Sequence, residues 1–324
     1  MMANAAPDIP SMSALIRGTV HLLSESRDCM PAPAPVPGPT SHVYFSQRLR
    51  LHYVDWGNDD APALIMLHGG RDHCRSWDWA AQELRDTYHV VAPDLRGHGD
   101  SQWVLGAAYA PEDFVYDLAQ LIHQKQLAPV RIIAHSLGGS IALRYAGIYP
   151  DTVHKLVTVE GLMPPMEWIA KRSGKSTADR MREWIDMLRD MAGREPRRYP
   201  TIEDAVHRMQ EANKRLTPEQ ARHLTVHGVN QNEEGTYTWK FDNYERAFSP
   251  RLFDESEARE LWSRVTCPTL LIEGKDSRVG DSKVAERVQV FPDARVLNVD
   301  DAGHWVHHDQ LELFVREARA FLAD

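Results

Sequence analysis

A single serine stands between a strand-like run and a helix-like run in the segment VRIIAHSLGGSIALRYA, residues 130–146. Ser136 has small residues around it, with Ala134 before it and Gly138 and Gly139 after it. A turn this tight forces a strained backbone at its tip, and only small side chains fit beside it. Because the turn lifts the hydroxyl off the end of the strand, the pattern predicts an exposed nucleophile at Ser136.

A serine hydroxyl attacks a carbonyl efficiently only when a base removes its proton and a third group orients that base. The candidate base is His304 in the segment DDAGHWVHHDQ, because Gly303 before it suits a tight loop. His307 and His308 are the rival bases, and we expect both of them on the surface of the following helix.

Two carboxylates compete for the role of the orienting acid. We favour Asp276 in LLIEGKDSRVG, two residues past a predicted strand, and keep Glu160 at the end of LVTVEG as the alternative. Ser136, Asp276 and His304 then follow in chain order, each after a parallel strand. The carboxyl ends of such strands are where open α/β sheets build their sites.

The oxyanion of a tetrahedral intermediate also needs donors. The segment LIMLHGGRDH ends a predicted strand with His68, Gly69 and Gly70, a loop that can bring a backbone N–H to the serine. We expect the N–H groups of Gly70 and Leu137 to be these donors, with His68 positioning the loop.

The elements that must hold these residues follow from short apolar runs alternating with helical patterns. Near-continuous apolar runs between helices indicate a mainly parallel sheet covered on both faces, hence an α/β fold. Two earlier runs, 42–47 and 50–55, alternate polar and apolar residues and suit an antiparallel edge hairpin. The buried strands are predicted at 63–68, 89–94, 130–135, 155–160, 269–274 and 295–300.

The strand rhythm stops between residues 162 and 263, where aromatic residues, methionines and arginines follow helical patterns. We therefore predict a helical cap at 162–263 inserted into a core of residues 41–161 and 264–324. The segment 176–193 is its clearest helix, with a cap residue at the start and Gly193 at the end. Residues 1–40 form a separate N-terminal arm with the proline-rich linker PAPAPVPGPT.

Composition excludes several classes of partner. The 324 residues carry 37 Lys and Arg against 46 Asp and Glu, a formal net charge of −9, which argues against binding nucleic acid. No apolar run approaches the ~18 residues of a membrane span.

The cysteines, Cys29, Cys74 and Cys267, are three and widely spaced, so we expect a cytoplasmic protein without a disulfide framework. We also expect no metal, since no histidine pair sits at ligand spacing on an evident helix face beside a third ligand. A homo-oligomer through the N-terminal arm or the cap is left open.

Five segments in order, LHGG, VVAPDLRGHGDS, IIAHSLGGS, CPTLLIEGKD and DAGHWVHHDQ, resemble the successive landmarks of the α/β-hydrolase superfamily. The resemblance covers residues 43–324 and implies an α/β-hydrolase fold with a helical cap and serine chemistry that needs no cofactor. It is similar in style to small esterases, lactonases, non-haem peroxidases and C–C hydrolases. Ala134 departs from the glycine usual two residues before the serine, and its small side chain is tolerated on steric grounds. Haloalkane dehalogenases and epoxide hydrolases share the architecture but use an aspartate nucleophile, so Ser136 argues against both.

We therefore expect a serine hydrolase acting on a small to medium, mostly apolar ester, lactone or thioester. The first alternative is a different reaction on the same triad, either hydrolysis of a C–C bond or perhydrolysis. The second alternative is a non-catalytic receptor that uses the fold to bind a small molecule, and the presence of Ser136, Asp276 and His304 together speaks against it.

Overall fold

The structure is a computed structural model that describes residues 38–106, 109–162, 164, 166–247, 249–251, 253–278 and 284–323. The predicted N-terminal arm and linker, residues 1–40, lie outside these ranges except for residues 38–40.

The described chain forms ten strands. The short apolar runs become strands because both faces of each run are covered, and every predicted strand is found within a few residues of its predicted bounds. The strands are β1 (Thr40–Ser46), β2 (Leu49–Asp55), β3 (Ala63–Leu67), β4 (His89–Pro93), β5 (Val130–His135), β6 (Val153–Val159), β7 (Val229–Gln231), β8 (Tyr237–Trp239), β9 (Thr269–Gly274) and β10 (Ala294–Val299).

Eight of these strands make one sheet in the order β1-β2-β4-β3-β5-β6-β9-β10. Strands β1 and β2 pair antiparallel, as the edge hairpin predicted, and β2 pairs antiparallel with β4. All pairings from β4 across to β10 are parallel, so the predicted α/β sheet is confirmed. The carboxyl ends of β3, β5, β6, β9 and β10 consequently share one edge of the sheet, where the candidate residues follow.

The described ranges contain eleven α-helices, and only some of them cover the faces of this sheet. The helices are α1 (Asp78–Leu84), α2 (Pro111–Lys125), α3 (Leu137–Ile148), α4 (Met166–Ser173), α5 (Thr177–Ala192), α6 (Ile202–Ala212), α7 (Pro218–Gly228), α8 (Glu255–Ser263), α9 (Val284–Arg287), α10 (Val306–Asp309) and α11 (Leu311–Leu322).

Alternate residues of one strand enter two separate cores. In β3, Leu64 and Met66 join the core formed with α1 and α11, whereas Ile65 and Leu67 join the core formed with α2, α3 and α8. The two-residue period of a strand produces this division. Burial of one such aliphatic side chain contributes about 1.5–3 kcal/mol, so both layers stabilise the central strands that carry the candidate site.

Residues 162–263 contain α4 to α8 and the hairpin of β7 and β8, which the helical pattern did not predict. Helix α5 begins after Ser176, whose side chain accepts a hydrogen bond from the Asp179 N–H, and it ends at Gly193, as predicted. Helix α8 packs on α3, and its Ala258 and Trp262 belong to a core of the main sheet. The division into core and cap remains a prediction.

Two further expectations concern bulk properties. None of the helices in the described ranges combines the length and apolar composition that crossing a bilayer requires. Cys74 and Cys267 are free and buried, while Cys29 lies outside the described residues.

The passage from β5 to α3 is a tight backbone crossing near the candidate site. A Cβ at Gly138 would lie 2.6 Å from the carbonyl oxygen of His68 and 2.7 Å from that of Leu67. A Cβ at Gly139 would lie 2.6 Å from the Cα of Gly161. Glycine at both positions therefore lets α3 start directly against β3 and the loop after β6.

Gly138→Ala should lower the free energy of unfolding by about 1–3 kcal/mol, because the new methyl group overlaps two backbone oxygens that cannot rotate away. Urea denaturation followed by circular dichroism measures the change. Gly174→Ala is the matched control, since a Cβ there meets nothing closer than the Ala170 carbonyl oxygen at 3.9 Å. Its expected effect is a change of less than about 1 kcal/mol. Equal effects of the two substitutions would contradict the crossing described here.

Candidate active site

Ser136 lies at the tip of the turn between β5 and α3, as its flanking residues predicted. Its φ of +51° and ψ of −115° fall outside the regions that a residue with a side chain prefers. Hydrogen bonds hold this geometry: the Ser136 N–H donates to the Val159 carbonyl at 2.8 Å, and the Ser140 N–H donates to the Ser136 carbonyl at 3.0 Å. Strain of this kind persists where the surrounding structure enforces it and clusters at functional sites.

His304 lies within hydrogen-bond distance of the serine. Its Nε2 is 2.9 Å from Ser136 Oγ, and its Nδ1 is 3.3 Å from Glu160 Oε2. The loop after β10 presents His304, and His135 Nε2 donates a hydrogen bond of 2.8 Å to the His304 carbonyl. The imidazole therefore bridges a hydroxyl on one side and a carboxylate on the other.

Glu160 is the carboxylate beside His304. It follows β6 directly, has a φ of +53°, and its side chain is 1% exposed. Its Oε1 accepts a hydrogen bond from the Gly274 N–H at 2.8 Å, and its Oε2 accepts one from Ser277 Oγ at 2.8 Å. A buried carboxylate is costly unless such donors satisfy it. Gly274 ends β9 and Ser277 lies in the turn after it, and sequence patterns singled out neither donor.

Asp276 does not take the place beside His304 that we favoured. Its backbone N–H bonds to the Ala302 carbonyl at 2.9 Å, while its half-exposed carboxylate forms an ion pair with Arg215 Nη2 at 2.5 Å. The turn after β9 directs the next residue, Ser277, to Glu160 instead. Both acids follow strands that end at the same edge, so only the side-chain directions separate them, and the alternative Glu160 is the one brought to the histidine.

The loop after β3 lies against the start of α3. A Cβ at Gly69 would be 3.3 Å from Ser136 Cβ, and one at Gly70 would be 3.8 Å from Leu137 Cδ2, so both glycines border the serine turn. Leu137 is the first residue of α3, where helix N–H groups have no partner within the helix. The predicted donors Gly70 and Leu137 are thus adjacent, and their role stays a prediction.

His68 anchors this loop from below. The Leu95 N–H donates to His68 Nε2 at 2.9 Å, so the proton lies on Nδ1, which donates to the Gly69 carbonyl at 2.7 Å. Burial lowers the pKa of His68 to about 3, so the imidazole is neutral at pH 7. The loop is therefore tied to the segment after β4.

The expectation that His307 and His308 lie on the surface is wrong, because both are buried. His307 stacks on Trp77 with ring centroids 4.4 Å apart, and His308 Nε2 lies 3.0 Å from Ser76 Oγ. Burial lowers the pKa of His308 to about 3 and the pKa of His307 well below its ordinary value. The short helix α10 packs inward here, which leaves His304 as the histidine that reaches Ser136.

A cavity of about 440 Å³ adjoins these residues. Gly70 and Trp305 line it, and both lie next to the Ser136 and His304 region. Gly70 lies against Leu137, the residue after Ser136, and Trp305 follows His304 in the chain. Its apolar wall consists of Tyr199, Met209, Leu216, Leu224, Trp239 and Phe241. The volume lies in the range of small-molecule sites, and most of this wall comes from residues 162–263.

Within the described ranges, four groups combine metal-ligand types that sequence patterns did not bring together, and one of them includes two histidines of a single helix. His223 and His227 lie one turn apart on α7, and Asp78 of α1 comes close to both. Both Asp78 oxygens accept hydrogen bonds from Arg75 Nε, at 2.9 and 2.8 Å, so a guanidinium already neutralises the carboxylate. The sequence pattern could not reveal this group because Asp78 is distant in the chain, and the ion pair gives no reason to place a metal there.

Comparisons with known proteins agree with the fold and its landmarks. The model of a family described as the alpha/beta hydrolase family matches residues 64–317. The esterase Rv0045c of Mycobacterium tuberculosis is 26% identical over 295 residues, which cover 89% of this chain and 92% of the esterase. Epoxide hydrolase 1 of Caenorhabditis elegans is 24% identical over 287 residues, which cover 85% of this chain and 68% of that protein.

A solved structure extends the likeness to three dimensions. The thioesterase domain from the curacin biosynthetic pathway superimposes with a TM-score of 0.75 at 22% identity, covering 87% of this chain and 99% of that domain. At this identity the match speaks for the fold alone.

The buried histidines predict that the free energy of unfolding falls as the pH drops from 7.5 to 5.5. His68, His135, His307 and His308 have folded pKa values below the unfolded value of about 6.5, so the unfolded chain takes up protons that the native chain does not. Each contributes a slope of up to about 1.4 kcal/mol per pH unit below pH 6.5. His89, whose pKa a carboxylate hydrogen bond raises, contributes the opposite sign and offsets only part of this slope.

Urea titrations at the two pH values measure this slope in the wild-type protein and two variants. His308→Gln should reduce the slope by about one proton, because the replaced group no longer titrates in the unfolded chain. His207→Gln is the control, since that imidazole is exposed on α6. A wild-type stability that does not change between pH 7.5 and 5.5 would contradict the neutral, buried state of these imidazoles.

Proposed function

The chain belongs to the alpha/beta hydrolase family, and we propose that it is a serine hydrolase that cleaves a carboxylic ester, lactone or thioester through an acyl-enzyme. One observation carries the proposal: Ser136 Oγ, both ring nitrogens of His304 and a Glu160 oxygen form a continuous chain with contacts of 2.9 and 3.3 Å. The strained backbone at Ser136 supports the same assignment, since it places the serine at the tip of the turn beyond the end of β5.

In the proposed acylation step, Ser136 Oγ attacks the substrate carbonyl carbon while His304 Nε2 accepts the hydroxyl proton. The imidazolium that results keeps a proton on Nδ1, which donates a hydrogen bond to Glu160. The negative charge of Glu160 stabilises the imidazolium. The carbonyl oxygen becomes an oxyanion, which accepts hydrogen bonds from the N–H groups of Gly70 and Leu137. When the tetrahedral intermediate collapses, the bond to the leaving group breaks and His304 gives that group its proton.

The proposed deacylation repeats these steps with water. His304 Nε2 accepts a proton from a water molecule as its oxygen attacks the acyl carbon, and the same N–H groups of Gly70 and Leu137 hold the second oxyanion. Collapse breaks the bond to Ser136 Oγ, which recovers its proton from the imidazolium. The carboxylic acid then leaves, and the protein returns to its starting protonation state.

Glu160 is the acid in this proposal, in place of the Asp276 that we favoured from sequence. It holds the His304 ring with Nδ1–H toward the carboxylate, which leaves Nε2 unprotonated and facing Ser136. Asp276, half exposed and paired with Arg215, contacts neither group.

The substrate class rests on the cavity and the nucleophile. An apolar wall suits an apolar acyl or alcohol portion of moderate size, and a relative is named an esterase. Another relative is named an epoxide hydrolase, a reaction for which related folds use an aspartate nucleophile, whereas this chain has Ser136 at that turn. We therefore propose ester-type chemistry.

Partner and compartment are proposals as well. We propose a small-molecule substrate as the partner, because the cavity beside the serine has the volume of such sites. We propose the cytoplasm as the compartment, because Cys74 and Cys267 are free thiols and the three cysteines are widely spaced in the sequence.

A fluorophosphonate probe should label Ser136 in the folded protein, and peptide mapping by mass spectrometry locates the adduct. Ser136→Ala should abolish labelling and lower kcat for a 4-nitrophenyl ester by up to roughly a million-fold, as in other serine enzymes. Ser173→Ala, at an exposed position on α4, is the control and should leave labelling unchanged. Retained turnover in Ser136→Ala, or an adduct on another residue, would refute the nucleophile.

Glu160→Gln and Asp276→Asn compare the two acids by matched neutral replacements. Glu160→Gln should lower kcat by about 10⁴-fold, because the histidine loses both its orienting acceptor and the charge that stabilises the imidazolium. Asp276→Asn should change kcat by only a few-fold, since that carboxylate faces Arg215 and solvent. Steady-state kinetics across pH 6–9 measure both variants, and a larger loss in Asp276→Asn would restore Asp276 as the acid.

A further inference from the structure

Four arginines surround the cavity beside the candidate active site. Arg71 follows Gly70 in the loop after β3, Arg197 precedes α6, Arg208 lies on α6, and Arg246 ends the short 3-10 helix Asn243–Arg246. They come from four separate segments of a chain whose formal net charge is −9. A concentration of positive charge at one cavity of an acidic protein calls for a physical reason.

The pKa of one of these guanidinium groups, that of Arg246, responds to the charges of other cavity arginines. Burial, followed by the positive charge of Arg71, lowers the pKa of Arg246, while the adjacent carboxylate of Glu245 offsets part of this effect and Arg208 adds a weaker contribution that lowers it. Within the described ranges, Arg71, Arg197 and Arg246 form no ion pair with a carboxylate, and Arg208 reaches Glu211 of its own helix at 3.3 Å. Like charges brought together repel one another, and an anion that binds at the cavity relieves this repulsion.

Two acidic side chains near the cavity, Asp72 and Glu245, offset only part of the positive charge of the arginines. Asp72 accepts hydrogen bonds from the His73 N–H at 2.9 Å and from Ser76 Oγ at 2.8 Å, and burial raises its pKa. Glu245 Oε1 lies against the oxyanion loop, where a Cβ on Gly70 would be only 2.9 Å from it. Four guanidinium groups against these two acidic groups leave an excess of positive charge at the cavity, which favours an anionic substrate group.

Building on the proposed serine hydrolase, we propose that its substrate carries an anionic oxyacid group, a carboxylate or a phosphate, separated by an apolar spacer from the carbonyl that Ser136 attacks. The apolar wall between the two ends, which includes Trp239 and Phe241, would contact the spacer. Guanidinium groups suit this role because they bind carboxylate and phosphate oxygens through paired N–H donors. The inference extends the expected apolar substrate to one that is apolar in the middle and charged at its far end.

Two esters of equal shape test the proposal. Mono(4-nitrophenyl) glutarate carries a terminal carboxylate, and 4-nitrophenyl 5-methylhexanoate replaces that carboxylate with an isopropyl group. We expect kcat/KM to be at least about tenfold higher for the glutarate ester, the gain that a charge-assisted hydrogen bond can supply. The preference should decrease as sodium chloride is raised from 20 to 500 mM, because salt screens charges at an open cavity mouth.

Single variants locate the effect. Arg246→Gln and Arg208→Gln should each lower the ratio of the two kcat/KM values by about tenfold, chiefly through a higher KM for the glutarate ester. Arg316→Gln is the matched control, because Arg316 is exposed on α11 and pairs with its neighbour Glu317 at 3.0 Å. Its ratio should equal that of the wild-type protein. An equal loss in Arg316→Gln would overturn the assignment to the cavity arginines.

Inhibition and binding separate the two oxyacids and the two levels of the proposal. Glutarate or inorganic phosphate should inhibit cleavage of the neutral ester competitively, and the stronger inhibitor identifies the preferred oxyacid. The same anion should raise the Tm of the Ser136→Ala variant, which tests binding without turnover. If Ser136 is labelled and the neutral ester is cleaved at least as well as the glutarate ester, the substrate inference fails while the hydrolase stands. If Ser136 is unlabelled and neither ester is cleaved, the hydrolase proposal fails, and the Tm shift alone then decides whether the cavity binds anions.

Discussion

The close crossing of the chain at the end of β5 is the constraint on which the rest of the site depends. Ser136 keeps a positive φ because its N–H bonds to Val159 at 2.8 Å and its neighbours Gly138 and Gly139 touch backbone on either side. The same contacts bring the start of α3 against the loop after β3. One backbone conformation thus places Ser136 at the tip of the turn and brings Leu137 beside Gly70, so any larger residue at Gly138 or Gly139 would disturb both.

A second requirement is that the buried carboxylate of Glu160 has hydrogen-bond donors for its oxygens. Glu160 is almost inaccessible to solvent, yet its oxygens accept from Gly274, Ser277 and the imidazole of His304. These partners come from the ends of β9 and β10, which lie beside the strand β6 that carries Glu160, so the parallel order of the sheet is what gathers them. The carboxylate lies 3.3 Å from His304 Nδ1, and His304 Nε2 lies 2.9 Å from Ser136 Oγ, so the strand ends meet the serine turn at this imidazole. Because these hydrogen bonds satisfy the carboxylate oxygens, the burial of Glu160 costs less free energy than it would without them.

The electrostatic character of the cavity differs from that of the protein as a whole. The chain as a whole has a formal net charge of −9, while Arg71, Arg197, Arg208 and Arg246 concentrate positive side chains at the cavity. Such a contrast directs a small anion toward one place and raises its local concentration there. The apolar wall supplies affinity without direction, so the arginines would decide which end of a substrate lies away from the serine.

Local patterns determined the strands, the serine turn and the position of His304, because each depends on residues adjacent in the chain: apolar runs, small neighbours and a glycine before the histidine. Such patterns could not predict which carboxylate, Asp276 or Glu160, lies beside His304, since both residues follow strands that end at one sheet edge. It is decided by a single turn after β9, which sends Ser277 inward and Asp276 outward to Arg215. The burial of His307 and His308 and the convergence of four arginines likewise required the tertiary structure. Each depends on which side of a packed element faces its neighbours, and partners distant in sequence determine that orientation.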